Sequence, residues 1–369
     1  MFKEVKGQKK AIQQLKYLIS EEKIAGSYLF YGPAGVGKLM TALEFAKILN
    51  CQDEISEKPC RDCKACHKID DLAHPDIELI FPIPNFDKTP EGGYKNDKER
   101  EQVQNYLQHL KEQPYNRYKF SKTTAIRINT IREIERTLKY KPREGNYRVV
   151  IMIDADQLIV HAENAFLKTL EEPPPYAVII LTTTKLDSLL PTIISRCRKV
   201  RFTKIPIPII ENELMKKHDV EKFQARIAAR IANGSLAKAI LISKDQSPRA
   251  RKLSLDLVDC LMDENLNSVY ELSEYFKRNR DEELLIGMID FLIIWFSDII
   301  NLKNVPEKIL NIDQIEKLKA FYKKFFVSNK LVKKVIEQME ELKCLVYGHV
   351  NFELIIINLY YQIRKQINQ

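Results

Sequence analysis

Four cysteines fall within a short stretch of the chain: Cys51, then after eight residues Cys60, and after two-residue spacers Cys63 and Cys66. Paired short spacings let one segment wrap around a single small ion. Four thiolates form a closed tetrahedral set, which suits structural Zn2+ and leaves no open position for catalysis. An iron–sulfur cluster is the runner-up for such a set. The adjacent His67 reads as a bystander.

A second group of residues suits phosphates. Ser27 to Tyr31 reads SYLFY, a short strand that runs directly into GPAGVGKL at Gly32 to Leu39, followed by the helical run Met40 to Asn50. Strand, glycine-rich loop and helix is the setting in which backbone amides converge on phosphates. The glycines Gly32, Gly35 and Gly37 permit the turn, the helix N-terminus adds positive field, and Lys38 supplies a point charge, so the loop is of a phosphate-binding kind, with ATP or ADP as the candidate ligand. The residue after the lysine should be Ser or Thr, whose hydroxyl ligates the magnesium ion bridging the phosphates. Here it is Leu39, which cannot hold a metal, so the preferred reading is a degenerate loop retained for its fold; a working nucleotide site is the other.

These residues need a sheet to position them. Arg148 to Ile153 and Ala177 to Thr184 are runs of aliphatic and β-branched residues, expected of strands buried on both faces of a parallel sheet. Between them Asn164 to Glu171 reads as a helix stopped by Pro173, Pro174 and Pro175. Ligands of open α/β sheets sit beyond the carboxyl ends of the strands, where Asp154, Thr183 and Thr184 fall. Gly7 to Ile19 and the run from Ile128 read as amphipathic helices, the latter capped near Asn129 and ended by Pro142; Ile77 to Ile83 reads as a strand. The polar insertion 84–121, with one helical piece near Lys98 to Lys111, is assigned no chemistry. Beyond Pro248 the pattern is almost wholly helical, and FLIIWFSDII, Phe291 to Ile300, with the single tryptophan Trp295, reads as a buried helix.

Composition is ordinary for a globular chain of 369 residues with 45% hydrophobic content, enough for two or three domains. No apolar run approaches the roughly 20 residues that span a bilayer, and no secretory signal pattern begins the chain, so a cytoplasmic address is expected. The clustering of cysteines fits metal ligation in a reducing compartment better than disulfides. A net charge of +9 favours polyanions, but the basic residues are scattered, so any DNA contact would be to the backbone and salt-sensitive.

ENAFLKTLEEPP, followed by LTTT and then SRC, resembles the core of bacterial clamp-loader subunits of the AAA+ class, which open sliding clamps and place them on primed DNA. With the upstream motifs the resemblance covers roughly Phe2 to Leu241 and, more weakly, the helical C-terminus. It implies an α/β fold: an AAA+ P-loop core with a parallel sheet over 1–202, bearing a zinc module at 51–66, then a helical lid over 203–243 and an all-helical collar over 244–369. It also implies roles. Asp154 would hold hydrated magnesium, but the glutamate expected next is Ala155, with Asp156 one place further. The lid's nucleotide-sensing arginine is replaced by Ala237. Arg196 of SRC matches an arginine finger that acts in trans on a neighbour's nucleotide. The combination implies a non-hydrolysing scaffold subunit, with motor subunits (gamma/tau) and a clamp-opening subunit (delta) as partners and contact with sliding clamp and primed DNA through the complex. An ATP-hydrolysing motor subunit is the first alternative, and a zinc-containing DNA-binding protein with a vestigial AAA+ core the second.

Overall fold

Tyr28 and Phe30 alternate with Leu29 along the SYLFY run, so a strand there presents aromatic rings to one side and an aliphatic residue to the other. A computed structural model describes residues 1–53, 58–86, 96–115, 120, 122–243, 247–306, 309–325, 328–346 and 351–367. They form two compact units, Met1–Ile209 with Gly234–Lys238, and Ile210–Asn233 with Ala239–Gln369.

In the first unit the order is α1 (Lys9–Ser20), β1 (Ser27–Tyr31), α2 (Lys38–Asn50), α3 (Lys64–Asp70), β2 (Ile77–Ile80), α4 (Asp97–Glu112), α5 (Ile128–Thr137), β3 (Arg148–Met152), α6 (Val160–Glu171), β4 (Ala177–Thr183), α7 (Pro191–Arg196) and β5 (Arg198–Arg201). The strands make one sheet in the order β2-β3-β4-β1-β5, each neighbouring pair parallel. β1 lies between β4 and β5, with Leu29 level with Leu181 on one side and Lys199 on the other. A parallel sheet must be covered on both faces, and β1 meets that demand with its alternation. Tyr28 meets Phe45 of α2 edge-on at 5.3 Å, and Phe30 meets Phe202 at 5.3 Å. Leu29 joins the opposite cluster with Val150, Ile179, Leu181 and Phe166 of α6.

Three local expectations are corrected. Regular pairing of the Ile77 strand stops at Ile80, because Pro82 and Pro84 lack donors; Ile83 instead forms an isolated antiparallel bridge with Ala125. α5 starts without help from Asn129. Its N-cap is Arg127 in an extended conformation, whose guanidinium donates to the carbonyls of Ile83 and Pro84 at 2.9 and 3.2 Å, so tertiary pairing sets the helix start. It also ends at Thr137, well before Pro142. Past it the N–H groups of Lys139 and Tyr140 donate to the carbonyls of Arg136 and Thr137, three residues back, at 3.4 and 3.2 Å, so the helix tightens into a turn and stops.

The second unit is helical among the described residues: α8 (Ile207–Lys217), α9 (Lys222–Ile231), α10 (Leu236–Leu241), α11 (Ser247–Asp263), α12 (Leu266–Asn279), α13 (Glu282–Asn304), α14 (Ile315–Phe325), α15 (Asn329–Val346) and α16 (Phe352–Ile367), with short parts of α8 and α10 falling in the first unit. α13 is its axis, packed against α11, α14 and α15. Trp295 is buried in that core. α12 was not expected from the periodicity; Asn265 caps it by accepting from the N–H groups of Asn267 and Ser268. Among the described residues no helix is long and apolar enough to cross a membrane.

The turn that feeds β3 is held by one buried carboxylate. Asp76, 1% exposed, accepts the backbone N–H groups of Arg143, Glu144 and Gly145 at 2.7, 2.8 and 2.8 Å. Burial pushes its carboxyl up, but the three donors outweigh burial and hold it below the ordinary aspartate value of 3.8. Its contribution is therefore complete above 3.8 and is lost as pH falls through the lower folded-state value. Asp76→Ala should destabilise the protein by about 3 kcal/mol at neutral pH, since charge-assisted bonds are lost and buried donors are left unmet. The denaturation midpoint reads this, and the gap to the unmodified protein should close as the solution is acidified past the aspartate range.

Candidate functional site

The loop after β1 has the backbone its glycines permit. Gly35 and Gly37 are left-handed at φ +69 and +94°, and Gly37 caps α2. Lys38 is turned onto the loop itself, its Nζ donating to the carbonyls of Gly32 and Pro33 at 2.8 and 2.6 Å. The Gly32 N–H donates to the Thr183 carbonyl at 3.3 Å, tying the loop to the end of β4.

Beside the loop is a cavity of about 50 Å³, lined by Ala34, Gly35, Gly37, Lys38, Leu39, Tyr106, Leu110, Pro114, Tyr115, Ile153, Asp154, Thr182 and Thr184. The structure thus brings together Gly35, Gly37, Lys38 and Asp154, while Gly32 stands at the loop's entrance. Asp154 follows β3 in a left-handed conformation, and its N–H meets the Thr182 hydroxyl at 3.3 Å. Ala155 is fully buried and carries no carboxylate. Asp156 does not replace it, because its Oδ1 accepts the Thr183 hydroxyl at 2.7 Å. Ala237 does reach the loop. Its N–H donates to the Gly35 carbonyl at 3.3 Å, and its methyl carbon lies 2.6 Å from where a Cβ on Gly35 would stand.

Sequence reasoning missed Tyr106, Leu110, Pro114 and Tyr115, all from the insertion it had set aside. The usable signal was the apolar stripe Val103, Tyr106 and Leu110 at spacings of three and four, which requires a surface to pack against. With these residues in place the space left beside the loop is about 50 Å³, small against the roughly 300 Å³ or more of ligand pockets.

The four cysteines do fit a metal. Their Sγ atoms all lie within 4.8 Å of one another, with Cys60 and Cys66 at 3.9 Å. Tetrahedral thiolates around zinc are separated by about 3.8 Å, given Zn–S bonds of about 2.3 Å. The N–H groups of Cys60 and Cys63 donate to the sulfurs of Cys51 and Cys60, each at 3.3 Å, which favours thiolate. Burial raises the Cys63 thiol, but N–H groups of Cys66 and Gln52 and the neighbouring thiols outweigh it and bring it to about 6. Residues 54–57 of this module lie outside the described residues.

The module is tied to the loop's own helix. Arg61 donates to Glu4 at 3.1 Å and to Glu44 of α2 at 2.8 Å; Glu44 has no solvent exposure and also accepts Lys47 at 3.2 Å. Lys47 in turn pairs with Asp70 of α3. None of this was legible in the cysteine spacing.

Arg196 ends α7 and pairs locally: Nε and Nη2 meet Glu171 Oε2 at 3.0 and 2.9 Å, and Nη1 donates to the Thr192 carbonyl at 3.2 Å. Both side chains are partly exposed, at 30% and 57%, so the pair holds Arg196 only weakly, by about 0–1 kcal/mol. The register places Arg198 level with Tyr28, so Arg196 lies toward the amino edge of the sheet and the loop at its carboxyl edge.

A family profile described as DNA polymerase III, delta subunit matches residues 7–206. The tau subunit of DNA polymerase III from Bacillus subtilis is 27% identical over 329 residues, covering 83% of this chain and 51% of its own length. The delta′ subunit from the same organism is 27% identical over 301 residues, covering 80% of this chain and 78% of its own. The chain therefore spans about half the length of the tau subunit it matches. A solved structure of a DNA polymerase III gamma subunit-related protein from Thermotoga maritima covers 96% of this chain and 99% of its own at 18% identity, with a TM-score of 0.41.

Metal binding and local folding are linked where four side chains close on one ion. Cys63→Ser should lower metal content and thermal stability together, measured by elemental analysis and by a melting curve on the same preparation. Freshly purified, reduced protein that carries no metal would remove the ligand assignment.

Proposed function

The chain belongs to the DNA polymerase III, delta subunit family, a clamp-loader branch of the AAA+ proteins, and we propose that it is a delta′-like, non-hydrolysing scaffold subunit of a clamp loader. The observation that carries the reading is the replacement of three ATP-handling side chains, by Leu39, Ala155 and Ala237, together with an Arg196 that is kept. Phosphoryl transfer depends almost wholly on positioning and on electrostatic stabilisation, so losing the metal hydroxyl, the water-orienting carboxylate and the sensing arginine together removes the means of hydrolysis. Arg196 lies toward the opposite edge of the sheet from its own loop. It is suited to a neighbour's nucleotide instead, and its exposed pairing with Glu171 yields to a phosphate at small cost.

In this reading residues 1–202 are the AAA+ core, 203–243 the lid and 244–369 the collar through which the subunit joins gamma/tau motor subunits and the clamp-opening delta subunit. Contact with the sliding clamp and primed DNA is made through that complex, in the cytoplasm. The ion held by Cys51, Cys60, Cys63 and Cys66 is Zn2+, and its role is structural. Residues 7–206 of the profile match fall almost wholly in the proposed core.

One observation favours a motor subunit instead: the tau subunit is as similar as delta′, at 27% identity over 83% of the chain. The two readings part on ATP hydrolysis. The purified chain should release no phosphate from ATP above the blank, even with clamp and primed DNA; turnover that follows the protein through purification and vanishes in Lys38→Ala would establish the motor reading.

Arg196→Ala tests the role in trans. The variant should fold and assemble, because a partly exposed edge side chain held by a weak surface pair contributes little to the core. ATP hydrolysis by the complex should fall in part and clamp loading by more, since a finger is worth on the order of 10³ to 10⁵ in rate at its one site. An Arg196→Ala complex that loads clamps at the unmodified rate would reduce Arg196 to a partner for Glu171.

A further inference from the structure

We infer that the occupant of the phosphate-loop cavity is the chain's own segment 97–115, which closes the loop to nucleotide. α4 lies across the carboxyl edge of the sheet on an apolar stripe. Tyr106 stacks on Phe81, just past β2, at 4.0 Å and 16°, and on Phe120 at 5.4 Å and 7°. Val103, Tyr106 and Leu110 are buried. Leu110 and Tyr106 then share the cavity wall with Leu39, so the leucine that replaces a metal-binding hydroxyl has apolar company.

Tyr115 completes the closure. A Cβ added to Gly37 would stand 2.8 Å from Tyr115 Cε1, so the phenol ring lies directly on the glycine backbone that phosphates approach in a working loop. Its hydroxyl donates to the Glu4 carbonyl at 3.2 Å, which anchors the ring to the N-terminal segment. Gly35 and Lys38 are engaged as well. Gly35 is met by Ser235 and Ala237, whose atoms lie 2.2 and 2.6 Å from a Cβ added there, and the Lys38 ammonium is held on two loop carbonyls.

An occupant carried on the same chain acts at a high effective concentration, so modest contacts suffice to keep it in place. Nucleotide would bind only the open fraction, and its apparent affinity is lowered by that fraction. The loop amides themselves are intact, so opening the segment should restore phosphate binding. This concerns occupancy of the pocket, whereas the scaffold reading concerns hydrolysis: an intact chain that binds ADP tightly yet releases no phosphate from ATP overturns the former and leaves the latter standing.

The insertion can be excised cleanly because its ends are already paired, with Ile83 and Ala125 exchanging hydrogen bonds of 3.3 and 3.0 Å. The probe is ADP without magnesium, since Leu39 offers no metal ligand, titrated calorimetrically into metal-loaded protein. Two variants open the site: replacement of residues 87–121 by a short Gly-Ser turn, and Tyr115→Ala in the full chain, which keeps the α4 stripe should the excision fail to fold. Each folded variant should bind ADP at least about tenfold more tightly than the intact chain, and adding Lys38→Ala should erase the gain. Amide hydrogen exchange gives a reading independent of ligand: Tyr115→Ala should speed exchange in the loop Gly32 to Leu39 by about tenfold or more. An intact chain that binds ADP as tightly as the opened forms overturns the inference. So does a folded, metal-loaded Tyr115→Ala protein with neither faster loop exchange nor tighter ADP binding.

Discussion

A parallel sheet sets its strand ends side by side along one edge, and that single constraint places most of the residues capable of chemistry in the first unit. The glycine loop leaves β1, Asp154 follows β3, and Thr183 ends β4 with Thr184 just past it, so three separate segments of sequence converge at one edge. The same constraint separates Arg196 from that group. It precedes β5, which runs parallel to β1, and so belongs to the other edge. The glycine loop and Arg196 therefore sit at opposite edges of the same sheet.

Much of this was legible in the residues. Unbroken apolar runs identified β3 and β4, which are buried throughout, and three prolines marked the end of α6 to the residue. The cysteine spacing gave a ligand set whose sulfurs do converge. What stayed hidden has a common physical cause: long-range partners leave no local pattern. The start of α5 depends on Arg127 reaching the carbonyls of Ile83 and Pro84, across more than forty positions of sequence. The partner of Arg196, Glu171, sits twenty-five positions back on another helix. The insertion looked inert because its polar composition outweighed one short apolar stripe, and only the surface that stripe packs on explains it.

The tie between the cysteine module and the loop's helix shows why a structural ion would matter to a site it does not touch. Glu44 is fully buried with Arg61 on one side and Lys47 on the other. A buried carboxylate is costly unless its partners stay in register, and removing either cation leaves the other alone to compensate it. Arg61 lies between two ligands of the cysteine cluster, so the shape of the cluster sets where its guanidinium can reach. The cysteine segment and α2 are thereby joined through one buried carboxylate.

Gly37 has a consequence for how such sequences change over generations. In a nucleotide-binding loop a glycine there gives a phosphate room; here a methyl group would also meet the ring of Tyr115 at 2.8 Å. Packing against the tyrosine would therefore preserve the glycine even in a descendant whose loop held no nucleotide. Positions such as Leu39, where no backbone geometry is at stake, are free to drift first. Decay of an ancestral ATP site should accordingly erase its side-chain ligands well before its glycines, leaving a signature that outlives the chemistry that shaped it.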